Sequence, residues 1–363
     1  MIVLMLCRED RLFKEPAGYA AALQRRGIRV VFLDRTLPLD ADVHKFVEHC
    51  DKKPWLILHP DSNPAVMPGG LNRVAIPTAL FQNDPYVYTH RRIRWAMLFD
   101  YVLLLHQGFE ERFRAAGHPA PVTLPHAVDL TFFNDVDAER RYDVSAVGCS
   151  EGPNYRTRRE VLSQLEKEFR MNDWRRVHSY RELADVYCRS FIVANVARDD
   201  FPTDVSLRFA EAMAAGALFV TFTPSELPAM GFTEGVHYIG VSRSSDFAPT
   251  IRRYLNDKVG RESIVKAARE KIVQEHSYDA RVEKLIECLS RNGGKLQAPA
   301  RKWPEGRVRG IYLDFFAANG NLRDAARELL QISRWSPKET LIGAALLGRA
   351  WSKRLSARLR HLK

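Results

Sequence analysis

Short, nearly continuous apolar runs alternate along the chain with longer stretches whose apolar positions recur every third or fourth residue. Runs at 2–6, 28–33, 55–59, 78–82, 101–105 and 122–124 predict strands, and the stretches 17–26, 43–50 and 109–115 predict helices between them. Strands that are apolar on both faces belong to a parallel sheet covered by helices on each side. The fold class is therefore α/β. After a polar segment at 134–142 the alternation restarts, with strands predicted at 144–148, 191–194 and 217–222 and helices at 158–169, 206–215, 247–256, 261–274 and 280–290. Gly293, Gly294, Pro299 and Pro304 then punctuate a linker, and segments 311–318 and 322–332 around Asn319-Gly320-Asn321 predict a helical hairpin. A single hairpin does not make a repeat array, so it is expected to dock on the main body. The pattern divides the chain into Rossmann-like domains at 1–140 and 141–292 and a helical tail at 293–363.

Composition adds limits. At 363 residues the chain is too long for a single core, and with 46% hydrophobic and 27% charged residues it is too apolar for a disordered one. No apolar run approaches the roughly 20 residues of a membrane-spanning helix, and the opening run is too short for a signal-peptide core. Cys7, Cys50, Cys149, Cys188 and Cys288 are odd in number and widely spaced, which predicts reduced thiols and a cytoplasmic location rather than disulfides or a zinc site.

The net charge of +11 suits polyanionic partners such as nucleotide diphosphates or an acidic membrane surface. Nucleic acid is set aside, because no recognisable binding module accompanies the charge. Much of the excess is local: Arg349, Lys353, Arg354, Arg358, Arg360 and Lys363 follow Glu339 with no further acid. Leu355, Leu359 and Leu362 share one helical face there. This basic amphipathic segment fits either the inner face of an anionic membrane or the protein's own surface.

The chemistry-bearing stretch is N-V-A-R-D-D-F-P-T-D-V-S-L-R-F-A-E-A-M-A-A-G-A, from Asn195 to Ala217, laid out as strand, loop, helix, glycine, strand. Ser206 is a favoured N-cap type, so the helix is expected to start there with its free N–H groups at the carboxyl end of a parallel strand. Such a position accepts a diphosphate. Arg208 brings a forked set of donors for phosphate, and Glu211, one turn on, offers a carboxylate for ribose hydroxyls. The plain alternative is an exposed Arg/Glu pair on a helix surface.

E-A-M-A-A-G-A-L-F-V-T, from Glu211, resembles the donor-binding element of GT-B glycosyltransferases. The wider form S-x-R-x-x-E (Ser206, Arg208, Glu211) with Asn195 upstream is similar to the group named after spore maturation protein CgeB. N-D-P at 83–85, F-D-Y-V-L at 99–103, L-P-H-A-V-D at 124–129, D-V-S-A-V-G at 143–148 and H-S-Y-x-x-R from His276 to Arg281 follow in the same order, so the resemblance spans about residues 77–289. It implies two Rossmann-like domains, a nucleoside diphosphate sugar as donor, and a Glu that contacts the ribose. Retaining members pair that Glu with another eight positions earlier; here that position holds Thr203. The glycine-rich turn usual after the first strand is replaced by Cys7-Arg8-Glu9-Asp10.

Gly148 closes the first strand of the second domain, where glycine lets backbone approach a diphosphate. Among Arg156, Arg158 and Arg159 just beyond it, Arg158 is the choice for the phosphates. In the first domain Asp61, Asp84 and His106 each follow a predicted strand, so they are the candidates for positioning or deprotonating an acceptor hydroxyl. The alternatives for them are turn and core roles. The D-x-D triplets at 40–42 and 135–137 lie at a helix start and in the polar linker, and no metal site or cofactor is expected. The resulting expectation is transfer of a sugar from a nucleotide sugar to a glycan, lipid-linked or protein acceptor held by the first domain. A sugar-nucleotide epimerase of the same fold and a non-catalytic binding or scaffolding protein remain open.

Overall fold

In the computed structural model the apolar runs become two parallel sheets. Every residue is described except 13, 34–35, 39–40, 62–65, 334–336 and 361–363, together with the side chains of 11, 338–339 and 353–360. Asp40 of the first D-x-D triplet, the side chains of Leu355 and Leu359, and all of Leu362 and Lys363 lie outside the described residues.

The chain forms two compact units, Met1–Leu124 with Ile286–Lys363, and Pro125–Leu285. The first contains β1 (Ile2–Met5), α1 (Glu15–Arg25), β2 (Arg29–Phe32), α2 (Val43–Glu48), β3 (Leu56–His59), β4 (Thr78–Gln82), α3 (Thr89–Ala96), β5 (Tyr101–Leu104), α4 (Glu110–Ala115) and β6 (Pro121–Thr123). Its sheet runs β2-β1-β3-β4-β5-β6, with each neighbouring pair parallel. β1, β3, β4 and β5 are buried along their whole length, as continuous apolar runs require. Asp42 caps α2 by accepting from His44 N at 3.0 Å, a structural use of the D-x-D triplet.

The second unit contains β7 (Tyr142–Ser145), α5 (Arg156–Leu165), α6 (Tyr180–Cys188), β8 (Ser190–Asn195), α7 (Arg208–Ala214), β9 (Leu218–Phe222), β10 (Ile239–Val241), α8 (Phe247–Asn256), α9 (Lys258–Glu275) and most of α10 (Tyr278–Arg291). The order is β10-β9-β8-β7, again parallel. Alternate residues feed two cores. Val193 and Phe219 pack with Tyr187, Phe209, Met213 and Ile272 on one face, whereas Ile192, Leu218 and Val220 pack with Leu162, Phe247 and Ile251 on the other.

The unit boundaries differ from the expected breaks after 140 and 292. They fall at 124/125 and inside α10, and the tail belongs with the first unit. The reason is a buried clamp on Asp100, at the start of β5. Asp100 Oδ1 accepts from Gln297 N, Ala298 N and Arg301 Nε at 2.7, 2.8 and 2.9 Å. Asp100 Oδ2 accepts from Thr78 N, Thr78 Oγ1 and Arg301 Nη2, each at 2.9 Å. The predicted linker is thus pinned to the first sheet. Beyond it come α11 (Glu305–Ala318), α12 (Leu322–Ile332) and α13 (Pro337–Arg360). α11 docks through Asp314, which accepts from Trp95 Nε1 at 3.0 Å, and through Tyr312, whose hydroxyl accepts from Leu71 N at 3.2 Å.

Among the described residues, no helix is long and apolar enough to cross a membrane.

Candidate functional site

Four of the residues expected to bind the donor meet at the carboxyl edge of the second sheet. Gly148, just past β7, has φ 133°, and a Cβ there would lie 2.9 Å from Arg208 Nη1 and 3.5 Å from Arg158 Nη1. The backbone angle demands glycine, and the space beside it is taken up by the two guanidinium groups. Arg158 reaches this point from α5. Only 5% exposed, it donates from Nε to Val196 O at 2.7 Å and from Nη1 to Cys149 O. Burial, reinforced by the charge of Arg208, pushes its pKa down to about 9, with Tyr155 and Asp204 acting weakly the other way. It remains a cation at neutral pH. Arg156 instead pairs with Glu160 at 3.0 Å, and Arg159 donates to Ser150 O at 2.7 Å.

Arg208 is the first residue of α7, and its Nε donates to Asn195 Oδ1 at 2.8 Å. Asn195 ends β8, buried, and donates from Nδ2 to Thr221 Oγ1 on β9 at 2.9 Å and to Asp204 O at 3.3 Å. Parallel pairing places Asn195 opposite Thr221. The sheet register therefore aims Arg208 through Asn195. The acceptors of both arginines are neutral amide oxygens.

Beside this cluster opens a cleft of about 620 Å³ lined by Arg156, Thr157, Arg198, Thr203, Phe222 and Pro224, among others. Between them the Tyr155 ring lies 4.9 Å from the Arg158 guanidinium and 5.7 Å from that of Arg198. In the cleft itself a phenylalanine, a proline and two arginines, Arg156 paired with Glu160 and Arg198 with Asp200, suit a flat ring bearing an anionic group.

Two sequence expectations are corrected. Ser206 does not cap the helix: α7 starts at Arg208 with no side-chain cap, and Ser206 sits at φ 44° with its N–H donated to Asp204 Oδ1 at 2.6 Å. Asp204, buried, takes the Ser206 N–H before the helix starts, and α7 runs only from Arg208 to Ala214. Glu211 is not on an open surface. It is 1% exposed and lines neither this cleft nor the cavity at Gly148. Burial and then the Glu211 charge raise the pKa of the buried Tyr187, which also feels Arg208 and Arg158.

The first-unit candidates occupy the carboxyl ends of β3, β4 and β5. Asp61, at φ 51°, accepts from Asn83 N at 3.0 Å and from Arg92 Nη1 at 2.8 Å, so it is engaged in an ion pair. Asp84 is exposed, accepting from the Tyr86 hydroxyl at 2.9 Å. His106 is buried against Tyr86, with ring centroids 5.5 Å apart. Tyr86 thus links Asp84 to His106.

Two segments that carried the resemblance turn out to fasten the second unit. Val128 N donates to His276 O at 2.9 Å, and Arg281 Nη2 meets His276 Nδ1 at 2.5 Å. The entering segment 124–129 and the closing segment from His276 to Arg281 form one seam. Tyr155, Tyr187 and Arg198 were not singled out from sequence; the R-D-D triplet directly after β8 was the available signal for Arg198.

The paired parallel sheets with helices on both faces define a two-unit α/β protein of the GT-B type. Residues 138–287, which take in nearly all of the second unit, match the family described as glycosyl transferase-like. No curated protein matches the chain. Among solved structures it is similar to HepE from Anabaena in complex with UDP-glucose, at 14% identity and a TM-score of 0.54, covering 80% of this chain and 100% of that one. It is likewise similar to sucrose-phosphate synthase from Thermosynechococcus elongatus, at 14% identity and TM-score 0.53, covering 80% and 98%. A glycosyltransferase from Rickettsia africae gives 10% identity and TM-score 0.52, covering 80% and 97%.

Proposed function

We propose that the protein is a glycosyltransferase whose second unit binds a nucleoside diphosphate sugar. The observation that carries this reading is the convergence of Arg158 and Arg208 on Gly148, with neutral oxygens as their acceptors. Two like charges held a few ångströms apart in a half-buried site call for an anion between them. A diphosphate supplies that charge at the bare backbone of Gly148. The nucleoside is assigned to the adjoining cleft, against Phe222 and Pro224. The glycosyl transferase-like match over 138–287 and the UDP-glucose bound by HepE support the same reading.

As the diphosphate leaves, Arg158 and Arg208 would neutralise its growing charge, a metal-independent route to leaving-group stabilisation. Glu211, one turn after Arg208, is the acid that the resemblance assigns to the ribose; it is buried, and its charge helps to raise the pKa of the neighbouring Tyr187. Thr203 lines the cleft where retaining relatives place an acid, which assigns it to sugar selection. We assign the acceptor, a glycan, lipid-linked sugar or protein, to the first unit, where Asp84 is the exposed acid. The CgeB-like grouping rests on the sequence pattern.

A thermal-shift screen against nucleotide sugars and their diphosphates tests the reading, because a ligand that binds only the folded state raises its stability by about 2.7 kcal/mol at a hundred times its Kd. One base should stand out. Absence of a shift with every nucleotide would refute the proposal. Incubating the stabilising sugar nucleotide without acceptor separates the rivals: conversion to an isomer marks an epimerase, slow release of free sugar marks a transferase.

A further inference from the structure

Gly343 marks the inner face of α13. A Cβ there would lie 2.8 Å from Leu313 Cδ1 and 2.9 Å from Leu329 Cδ1, so the helix meets α11 and α12 at backbone distance. Away from that contact, Leu341 is 74% exposed and Trp351 58% exposed, and Ala344 and Gly348 between them are exposed as well. At about 100° per residue, Leu341, Ala344, Gly348 and Trp351 form one stripe roughly a third of a turn from Gly343. The same three-and-four spacing continues in sequence through Leu355, Leu359 and Leu362. The described part of this stripe is open to solvent.

The charge around it selects the occupant. From Thr340 onward the sequence has no acid, and it carries Arg349, Lys353, Arg354, Arg358, Arg360 and Lys363. A second copy of the chain, packed stripe to stripe, would set these cations against one another. An anionic lipid surface satisfies both features at once, since apolar side chains and an indole enter the headgroup boundary while arginines and lysines meet lipid phosphates. We propose that α13 docks the first unit flat on an anionic bilayer, with Trp351 as its anchor. The helix lies on the membrane, being too polar to cross it. This inference is independent of the donor site.

Flotation of the full chain with phosphatidylcholine vesicles, with and without phosphatidylglycerol, provides the test. Binding is expected only with the anionic lipid and should fall as salt rises. Trp351→Glu should abolish flotation without lowering the melting temperature, because the side chain is exposed. The double variant Lys353→Ala and Arg354→Ala should weaken partitioning by about thirtyfold, at about a factor of five to six for each cation lost near the surface. Equal binding of wild type and Trp351→Glu, or no binding to either vesicle, overturns the proposal. So does a dimer seen by light scattering that Trp351→Glu dissolves, which would make a second copy the occupant. Nucleotide affinity should be the same in all variants, so a failure here is distinct from a failure of the donor-site reading.

Discussion

Each unit draws arginine out of full solvent contact, and the two arrangements are opposite in kind. In the first unit Arg301 meets Asp100, whose two oxygens accept six hydrogen bonds from Thr78, Gln297, Ala298 and Arg301. In the second unit Arg158 meets Arg208, and their acceptors among the described residues are amide oxygens, with the Asp204 charge acting on Arg158. The first arrangement is closed electrostatically and leaves nothing for a ligand to add. The second is a pair of like charges beside an obligatory glycine, stable on its own yet improved by an anion. Part-buried charge therefore serves the fold in one unit and the proposed donor site in the other, and the sign of the neighbour tells them apart.

The largest effect expected from this contrast is on stability. Asp100→Ala would leave the part-buried Arg301 and the buried N–H groups around it without their acceptor, at a cost of about 3–5 kcal/mol, while nucleotide binding by the second unit persists. Urea unfolding followed beside a nucleotide titration checks both halves. Next comes Arg208→Ala, expected to weaken nucleoside diphosphate binding by roughly tenfold to a hundredfold, about 1.5–3 kcal/mol. Its melting temperature should hold or rise, because Arg158 loses a like-charged neighbour. If calorimetry and thermal melts show Arg208→Ala to be as destabilising as Asp100→Ala, the contrast collapses.

The smallest effect comes from pH. Burial and the Arg281 charge hold the pKa of His276 at about 2, and burial holds that of His118 at about 4. An unfolded histidine takes its proton near 6.5. Below that pH the unfolded chain binds protons the folded chain refuses, so this stability is complete above about 6.5 and declines as pH falls toward the folded values. The loss is roughly 1 kcal/mol per histidine between pH 6.5 and 5.5. Denaturant melts at the two pH values check it, and a protein equally stable at both would contradict the burial argument. Arg158 stays charged throughout, and the diester diphosphate of a sugar nucleotide takes up no proton here, so affinity for the sugar nucleotide should change little over the same range.

All strands of the two sheets but β10 are legible as apolar runs, and α8 and α12 fall where the periodicity places them, at Phe247–Asn256 and Leu322–Ile332. Three elements are not. α3 is mostly polar in sequence, and its few apolar residues gain a face where Trp95 meets Phe315, with ring centroids 5.1 Å apart. α6 carried a local signal that went unread, the capping box of Ser179 and Glu182. β10 is three residues with a central glycine. In the site, Gly148, Arg158, Asn195 and Arg208 could be named because a loop-helix pattern after a buried strand carries them. The burial of Glu211 and the reversal at Ser206 depend on packing around Asp204 and Tyr187, which no local pattern encodes.

The Asp100 clamp also fixes an order of events during synthesis. Its arginine lies 201 residues downstream, a separation the ribosome covers in roughly 10–40 s. Through that interval β5 has its strand neighbours but not the cation that closes its buried acid. The second unit, encoded wholly between the two halves of the clamp, emerges complete before the first can finish. The unit whose sequence begins the chain is the last to fold.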